Sequence, residues 1–176
     1  AAVQAIAPTF GGINLEDIAA PRCFEIEDAL RATLDIPVLH DDQHGTALVV
    51  LAGLINAARV TRRPLAQMHV GVNGAGAAGN AVAQLLLAYG VGDVLLVDSK
   101  GIVESSRRDL EPHKQALAKR TNKEKRKGGL TEALEGAHIF IGLSKAGLLT
   151  GEQVKRMADR PIVFAMANPV PEIMPE

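Results

Sequence analysis

Apolar and polar positions alternate along this chain in runs that separate short strands from amphipathic helices. The clearest run is residues 68–98, MHVGVNGAGAAGNAVAQLLLAYGVGDVLLVD. Its apolar start at 68–72 predicts a buried strand, and the alanine- and leucine-rich stretch up to Tyr89 predicts a helix. Residues 94–97 predict a second strand that ends on Asp98. From Pro64 onward the alternation continues, with strands expected near 68–73, 93–98, 137–142 and 161–166. Helices are expected near 76–89, 109–120, 130–135 and 150–159. Such alternation implies an α/β, Rossmann-type parallel sheet with helices on both faces and right-handed crossovers. Ligands of these sheets bind beyond the carboxyl ends of the strands. Three segments are expected at that edge: the GAGAAG turn, residues 142–145 and residues 167–169.

The first sixty residues read as two further helix-and-strand units. Residues 1–6 predict a helix end, stopped by Pro8, and FGGINL at 10–15 predicts a short strand. A helix is expected over 22–34, with Phe24, Ile26, Leu30 and Leu34 on its buried side and Cys23 as a small core residue. IPVL at 36–39 predicts another strand, and 47–60 an apolar helix closed before Arg62-Arg63-Pro64. That basic, proline-ended turn suggests a division. Residues 1–63 would form an incomplete layer preceding the sheet, and residues 64–176 a dinucleotide-binding domain.

Composition narrows the function classes. A net charge of −1 argues against wholesale attraction to nucleic acid or a membrane surface. The longest apolar run, 46–58, is interrupted by Asn56, so no membrane span is expected. Cys23 is the one cysteine, which suits a reducing, cytoplasmic setting. The chain opens without Met, without a signal-peptide pattern and inside an expected helix end, so a piece of a longer protein is anticipated.

The glycine turn carries the first chemistry. Gly74 suits the tight turn, Gly76 lets a pyrophosphate approach the backbone, and Gly79 lets helix and strand pack closely. Ala75, Ala77 and Ala78 complete the turn, whose helix N-terminus offers N–H groups to phosphates. Asp98 falls nineteen residues after Gly79, where a carboxylate can accept from an adenosine ribose. That charge favours NAD over NADP, although Ser99 and Lys100 beside it offer an alternative grip on a 2′-phosphate. Ser144, past the 137–142 strand, joins the cofactor candidates. KRTNKEKRK at 119–127 reads as a solvated loop, with help toward a 2′-phosphate as the sharper alternative.

Two acidic pairs carry the second. Glu16-Asp17 and Asp41-Asp42 each follow a predicted strand, so both are placed to face one cleft. Converging carboxylates repel unless a divalent cation neutralises them, and oxygen ligands favour Mg²⁺ or Mn²⁺ over zinc. The alternative is that Asp17 and Asp42 cap the helices that follow. His40 and His44 read as surface or hydrogen-bonding residues.

Taken together, IAPTFGGINLEDI, IPVLHDDQHGTA, VNGAGAAG, VDSKGI, FIGLS and FAMANPVPE resemble the malic enzymes of bacterial type, in order and over nearly the whole chain. The resemblance implies oxidation and decarboxylation of L-malate to pyruvate and CO₂ with NAD or NADP and Mg²⁺ or Mn²⁺. It implies metal ligands at Glu16, Asp17 and Asp42, and an assisting role for Asp41 beside the catalytic lysine. It also implies a cofactor turn at residues 74–79, and Asn168 beside nicotinamide and substrate. The metal would chelate and polarise the C2 oxygen while a general base and acid handle the protons. The family's catalytic lysine and tyrosine have no counterpart here, since Tyr89 sits in the expected Rossmann helix and Lys100 and Lys145 do not fit the lysine's motif. The chain alone is therefore expected to be inactive, and the parent protein to be a dimer or larger homo-oligomer. Competing readings are another NAD-dependent hydroxy-acid or amino-acid dehydrogenase, and a non-catalytic NAD-binding sensor. The first has no reason to hold two acidic pairs together, and the second predicts tight cofactor binding with no need for metal.

Overall fold

In the computed structural model, which describes residues 1–175, the longest buried apolar runs pair into a five-stranded sheet. Its strands are β3 (His69–Asn73), β4 (Asp93–Asp98), β5 (Gly101–Ile102), β6 (Ile139–Gly142) and β7 (Ile162–Ala165), in the order β5-β4-β3-β6-β7. β4, β3, β6 and β7 run parallel, with Val72 opposite both Leu96 and Ile141. β5 returns antiparallel beside β4. That two-residue edge strand was not expected. It exists because Gly101 turns the chain back directly after Asp98.

Helices cover both faces, which is why the central strands are apolar throughout rather than alternating. Val70, Val72, Val94, Leu96, Ile139 and Ile141 form one face with Val50, Leu54, Val82 and Leu86 from α3 (Thr46–Thr61) and α4 (Ala77–Tyr89). Phe140 and Leu134 pack on the other face with Leu149 and Met157, and Leu95 and Val97 with Ala133. Phe140 is fully buried, worth about 2–3 kcal/mol of transfer free energy. The main core crosses residue 63 without interruption, since α3 contributes to it as α4 does.

Upstream, α1 (Ala2–Ile6) leads to a second, two-stranded parallel sheet of β1 (Ile13–Leu15) and β2 (Val38–His40), with α2 (Arg22–Arg31) between them. α2 is shorter than expected and buries Cys23, Glu27 and Leu30, while Phe24, Ile26 and Leu34 are half-buried. Its last turn stops where the Thr33 hydroxyl donates to the Ala29 carbonyl. Between β2 and α3, residues Asp41–Gly45 form a turn of π-helix. It makes one continuous helix of Asp41–Thr61, 21 residues, in which an 18-residue window has a mean hydropathy of 1.2. Asn56 therefore does not end the apolar element, and by length and composition it equals a membrane span. Its buried side, Ala47, Val50 and Leu54, belongs to the sheet's core.

The remaining helices are α5 (Pro112–Ala118), α6 (Leu130–Leu134) and α7 (Gly151–Lys155). α5 starts at Pro112 rather than near 109, because Pro suits the first helical position and residues 104–109 are held by other contacts. α7 is set by a capping box between Thr150 and Gln153.

Candidate functional site

Beyond the carboxyl ends of β3, β4 and β6 lies a cleft of about 830 Å³, lined by Gly74, Ala75, Gly76, Asp98, Ser99, Ser144 and Lys145 among others. The glycine turn forms its floor. Gly76 is the N-cap of α4, with no side-chain cap on the helix and open space where a Cβ would stand. Uncapped first-turn N–H groups beside an open backbone suit a pyrophosphate. Asn73 adds an amide nitrogen that is buried at the end of β3 without a partner among the described residues. Gly79 does the packing work expected of it, since a Cβ there would land on the Gly74 carbonyl. Ala77 and Ala78 are half-buried in the first turn of α4 and lie outside the lining of the cleft.

Asp98 stands at the end of β4 but is not free. Arg107 donates from Nη1 to Asp98 Oδ1 at 2.9 Å and from Nη2 to Oδ2 at 3.1 Å, and the Lys100 amide donates to Oδ1 at 2.9 Å. Lys114 Nζ lies 3.8 Å from Oδ2. Arg107 also binds Asp109 at 2.9 Å, and Lys100 Nζ reaches Asp109 at 3.0 Å. Burial pushes the Asp98 carboxyl up, but hydrogen bonds from Arg107 and the Lys100 amide outweigh it and hold it below its ordinary value. The charge of Asp98 is thus balanced by the protein itself. No periodicity marks Arg107 or Lys114 as partners of Asp98, because the loop that joins them closes only in three dimensions.

The basic run at 119–127 is divided between two places. Lys123 donates from its amide to Asp93 Oδ2 and from Nζ to the Gly92 carbonyl, at the amino end of β4 and away from the cleft. Lys127 lies at the other end, with Nζ 3.5 Å from the Ser106 hydroxyl beside Arg107, so help toward a 2′-phosphate is confined to that end of the run.

His113 borders the cleft, with its ring 4.9 Å from that of Phe24 and its buried Nε2 without a hydrogen-bond partner among the described residues, 3.6 Å from Glu111 Oε2. Burial lowers its pKa from 6.5, against an upward pull from Glu111. His138 is lowered too, by burial and by the charges of Arg63 and His69. A histidine held neutral by the fold contributes fully above pH 6.5 and opposes folding as pH drops below it. Urea midpoints are therefore expected to fall between pH 7.5 and about 5.5. His113→Gln should show a smaller fall, and an identical one would remove His113 from this account.

The acidic pairs follow β1 and β2. Adjacent strand ends bring Asp17 and Asp42 together, with the Asp17 amide donating to Asp42 Oδ2 at 3.1 Å. Asp17 holds a left-handed backbone, φ 55°, a conformation aspartate tolerates better than most residues. His40 was expected at the surface or in a hydrogen bond. It is instead fully buried, neither ring nitrogen has a hydrogen-bond partner among the described residues, and Nε2 lies 3.9 Å from Asp42 Oδ2. β2 carries it inward because His40 pairs in register with buried Leu15. Neither Asp17 nor Asp42 is a helix N-cap: α2 is preceded by Pro21, and Asp42 lies inside the first turn of the helix that opens at Asp41, after His40. Glu16 and Asp41 are exposed. Among the described residues no lysine or arginine pairs with Glu16, Asp17, Asp41 or Asp42, and no three acidic, histidine or cysteine side chains converge as ligands.

The π-turn that carries Asp41 and Asp42 is tied down from behind. Buried Glu27 of α2 accepts from Gln43 Nε2 at 3.0 Å and bonds His44 Nε2 at 2.8 Å. This tie was not foreseen, because Glu27 falls on the face of α2 that apolar periodicity assigns to the core. The loop that leaves Asp17 reaches the dinucleotide cleft, where Ala20 forms part of the wall. Asn168 is exposed and lies outside the lining of that cleft.

The profile of the malic enzyme NAD-binding domain matches residues 43–174. An NAD-dependent malic enzyme of Geobacillus stearothermophilus is 54% identical over 174 residues, covering 99% of this chain and 36% of that protein. An NADP-dependent malic enzyme of Halomonas elongata is 48% identical, covering 99% of this chain and 41% of its own length. The crystal structure of an NAD-dependent malic enzyme from Thermotoga maritima matches with a TM-score of 0.96 at 46% identity, over 99% of this chain and 47% of that one. The chain thus spans between about a third and a half of the length of these relatives.

Proposed function

The chain belongs to the malic enzyme family, and on that premise we propose that it is the cofactor-binding part of an enzyme converting L-malate to pyruvate and CO₂ with NAD(P)⁺ and Mg²⁺ or Mn²⁺. The observation that carries this reading is the meeting of two features. The cleft over the glycine turn is walled in part by the loop that leaves the Asp17–Asp42 contact. A dehydrogenase without decarboxylation has no use for the second feature.

The residues fit both absent groups. Gly76 leaves backbone open at an uncapped helix start, and unpartnered Asn73 Nδ2 lies at the end of the strand that leads into it. Residues 74–79 would cradle the pyrophosphate, Asp98 and Ser99 would border the adenosine ribose, and Ser144 would lie toward the nicotinamide. Asn168 is proposed to meet the nicotinamide and substrate from the next loop. NAD(P)⁺ supplies the hydride acceptor. Asp17 and Asp42, joined through the Asp17 amide and with no lysine or arginine opposite among the described residues, are proposed to supply hard oxygen donors. Mg²⁺ commonly takes one or two carboxylates and fills its other positions with water and substrate oxygens. Glu16 is the proposed third ligand, and Asp41 the residue assisting proton transfer. The cation would supply Lewis-acid polarisation of the substrate's C2 oxygen.

We assign NAD⁺ as the cofactor on the carboxylate at the end of β4, which keeps acceptor capacity on Oδ2 for a ribose hydroxyl. NADP⁺ has its own support, because Arg107 neutralises Asp98 and Lys114 stands beside it. The division at residues 63 and 64, a homo-oligomeric parent and a reducing cytoplasmic setting complete the proposal. Buried, unpaired Cys23 suits the last of these.

Calorimetric titration with NAD⁺ and NADP⁺, each with and without Mn²⁺, tests this reading. Saturable binding of one dinucleotide is expected, with Mn²⁺ affinity falling about tenfold or more in Asp42→Ala. Failure of both dinucleotides to bind would sink the cofactor assignment. Mn²⁺ binding unchanged in Asp42→Ala would sink the metal assignment.

A further inference from the structure

Glu172 is completely buried, yet among the described residues no lysine, arginine or histidine pairs with it. A carboxylate removed from water needs strong donors in place of its hydration. Here they are two backbone amides from different loops. The Ser144 amide donates to Oε1 at 3.1 Å, and the Ala167 amide donates to Oε2 at 3.0 Å. Ser144 follows β6 and Ala167 follows β7, so one carboxylate bridges the ends of two adjacent strands. The backbone of the same segment adds to the tie, with the Gly147 amide donating to the Pro171 carbonyl and the Leu149 amide to the Glu172 carbonyl. The carboxylate occupies the space over Gly142, where any Cβ would collide with it.

The sheet order gives this tie a direction. β4 carries Asp98, β3 leads into the pyrophosphate turn, and β6 leads into Ser144, Lys145 and Leu148 on the far wall of the cleft. A dinucleotide with its adenosine at β4 and its phosphates at β3 has its nicotinamide end beside β6. We propose that Glu172 is a positioning residue, which fixes the Ser144 wall and so shapes the nicotinamide half of the cleft while leaving the adenosine half alone. This rests on the cofactor reading above. Glu172 acts through the two loops and has no contact with the reacting atoms in this account.

The test separates the halves of the ligand. Glu172→Gln keeps the shape but presents an amide NH₂ to one of the two N–H donors, leaving that donor unsatisfied. Gly142→Ala displaces the same carboxylate without altering it. Both variants are expected to weaken NAD(P)⁺ binding about tenfold, while AMP affinity stays within about twofold of wild type. Equal losses for NAD(P)⁺ and AMP would overturn positioning in favour of a general structural role, and unchanged NAD(P)⁺ affinity would overturn it outright. Amide hydrogen exchange of the wild-type chain gives an independent readout that needs no variant to fold and no cofactor to bind. Slow exchange at Ser144 and Ala167 relative to Lys145 and Ala146 supports the tie, and equally fast exchange overturns it. Wild-type protein that binds neither nucleotide, with those two amides protected, would sink the cofactor reading and leave the tie standing.

Discussion

Gly79→Ala is expected to abolish dinucleotide binding and to lower unfolding free energy by about 3 kcal/mol, at the upper end of overpacking effects. The added Cβ would fall on the backbone carbonyl of Gly74, which cannot rotate aside as a side chain could. Relief requires the turn to open, yet the turn is held at both ends. The Gly74 amide donates to the Val97 carbonyl at 2.9 Å, and the Asn80 amide to the Gly76 carbonyl at 3.0 Å. Opening it would also lift α4 from Leu96, whose Cδ1 lies 3.7 Å from where the alanine Cβ would stand. Stability and function therefore fall together at this position. Urea denaturation and NAD⁺ calorimetry on the same sample would measure both, and a variant with wild-type midpoint and affinity would refute the close approach.

Arg107→Ala should be the next largest, at about 2 kcal/mol, the scale of a charge-assisted hydrogen-bond pair discounted for partial exposure. Its side chain is 14% exposed and serves Asp98 and Asp109 together, so truncation leaves Asp98 with the Lys100 amide and Lys114, and Asp109 with Lys100 Nζ. The pH dependence supplies a second signature. The folded Asp98 carboxyl lies below its ordinary value of 3.8, where burial is outweighed by the Arg107 hydrogen bonds. Its contribution to stability is therefore present above pH 3.8 and is lost as pH falls through the lower folded value. Without Arg107 the burial effect remains and the carboxyl rises, so this acid-side loss should largely disappear. Denaturant midpoints of both proteins between pH 2.5 and about 6 would show the two curves converging at low pH. Parallel curves would mean that Arg107 does not set the Asp98 titration. Dinucleotide choice should respond as well, because the unpaired Asp98 charge would oppose a 2′-phosphate.

Local periodicity and motif spacing by themselves determined the strand–helix order, the dinucleotide turn and the position of Asp98 at a strand end. They could do so because each depends on neighbours within one supersecondary unit. A strand buried on both faces must be apolar throughout, and a glycine that meets a carbonyl five residues back, as Gly79 meets Gly74, is visible in its spacing. The acidic pairs were likewise legible as residues that follow strands, and Asp17 and Asp42 do meet.

Only the tertiary structure decided what those residues touch. Arg107 closing on Asp98, Glu27 bracing the π-turn and Glu172 bridging two strand ends link positions 9, 17 and 28 residues apart. No helical or strand period relates such pairs. His40 was misplaced for the same reason, since its burial follows from the register of β2 against β1 and not from its own polarity. The basic run at 119–127 reads as a charge source wherever it lies, and the fold sets Lys123 against the amino end of β4 and Lys127 beside Ser106. Short-range sterics and burial are written into consecutive residues, whereas the pairing of charges awaits the chain's closure, when desolvation makes each unpaired group costly.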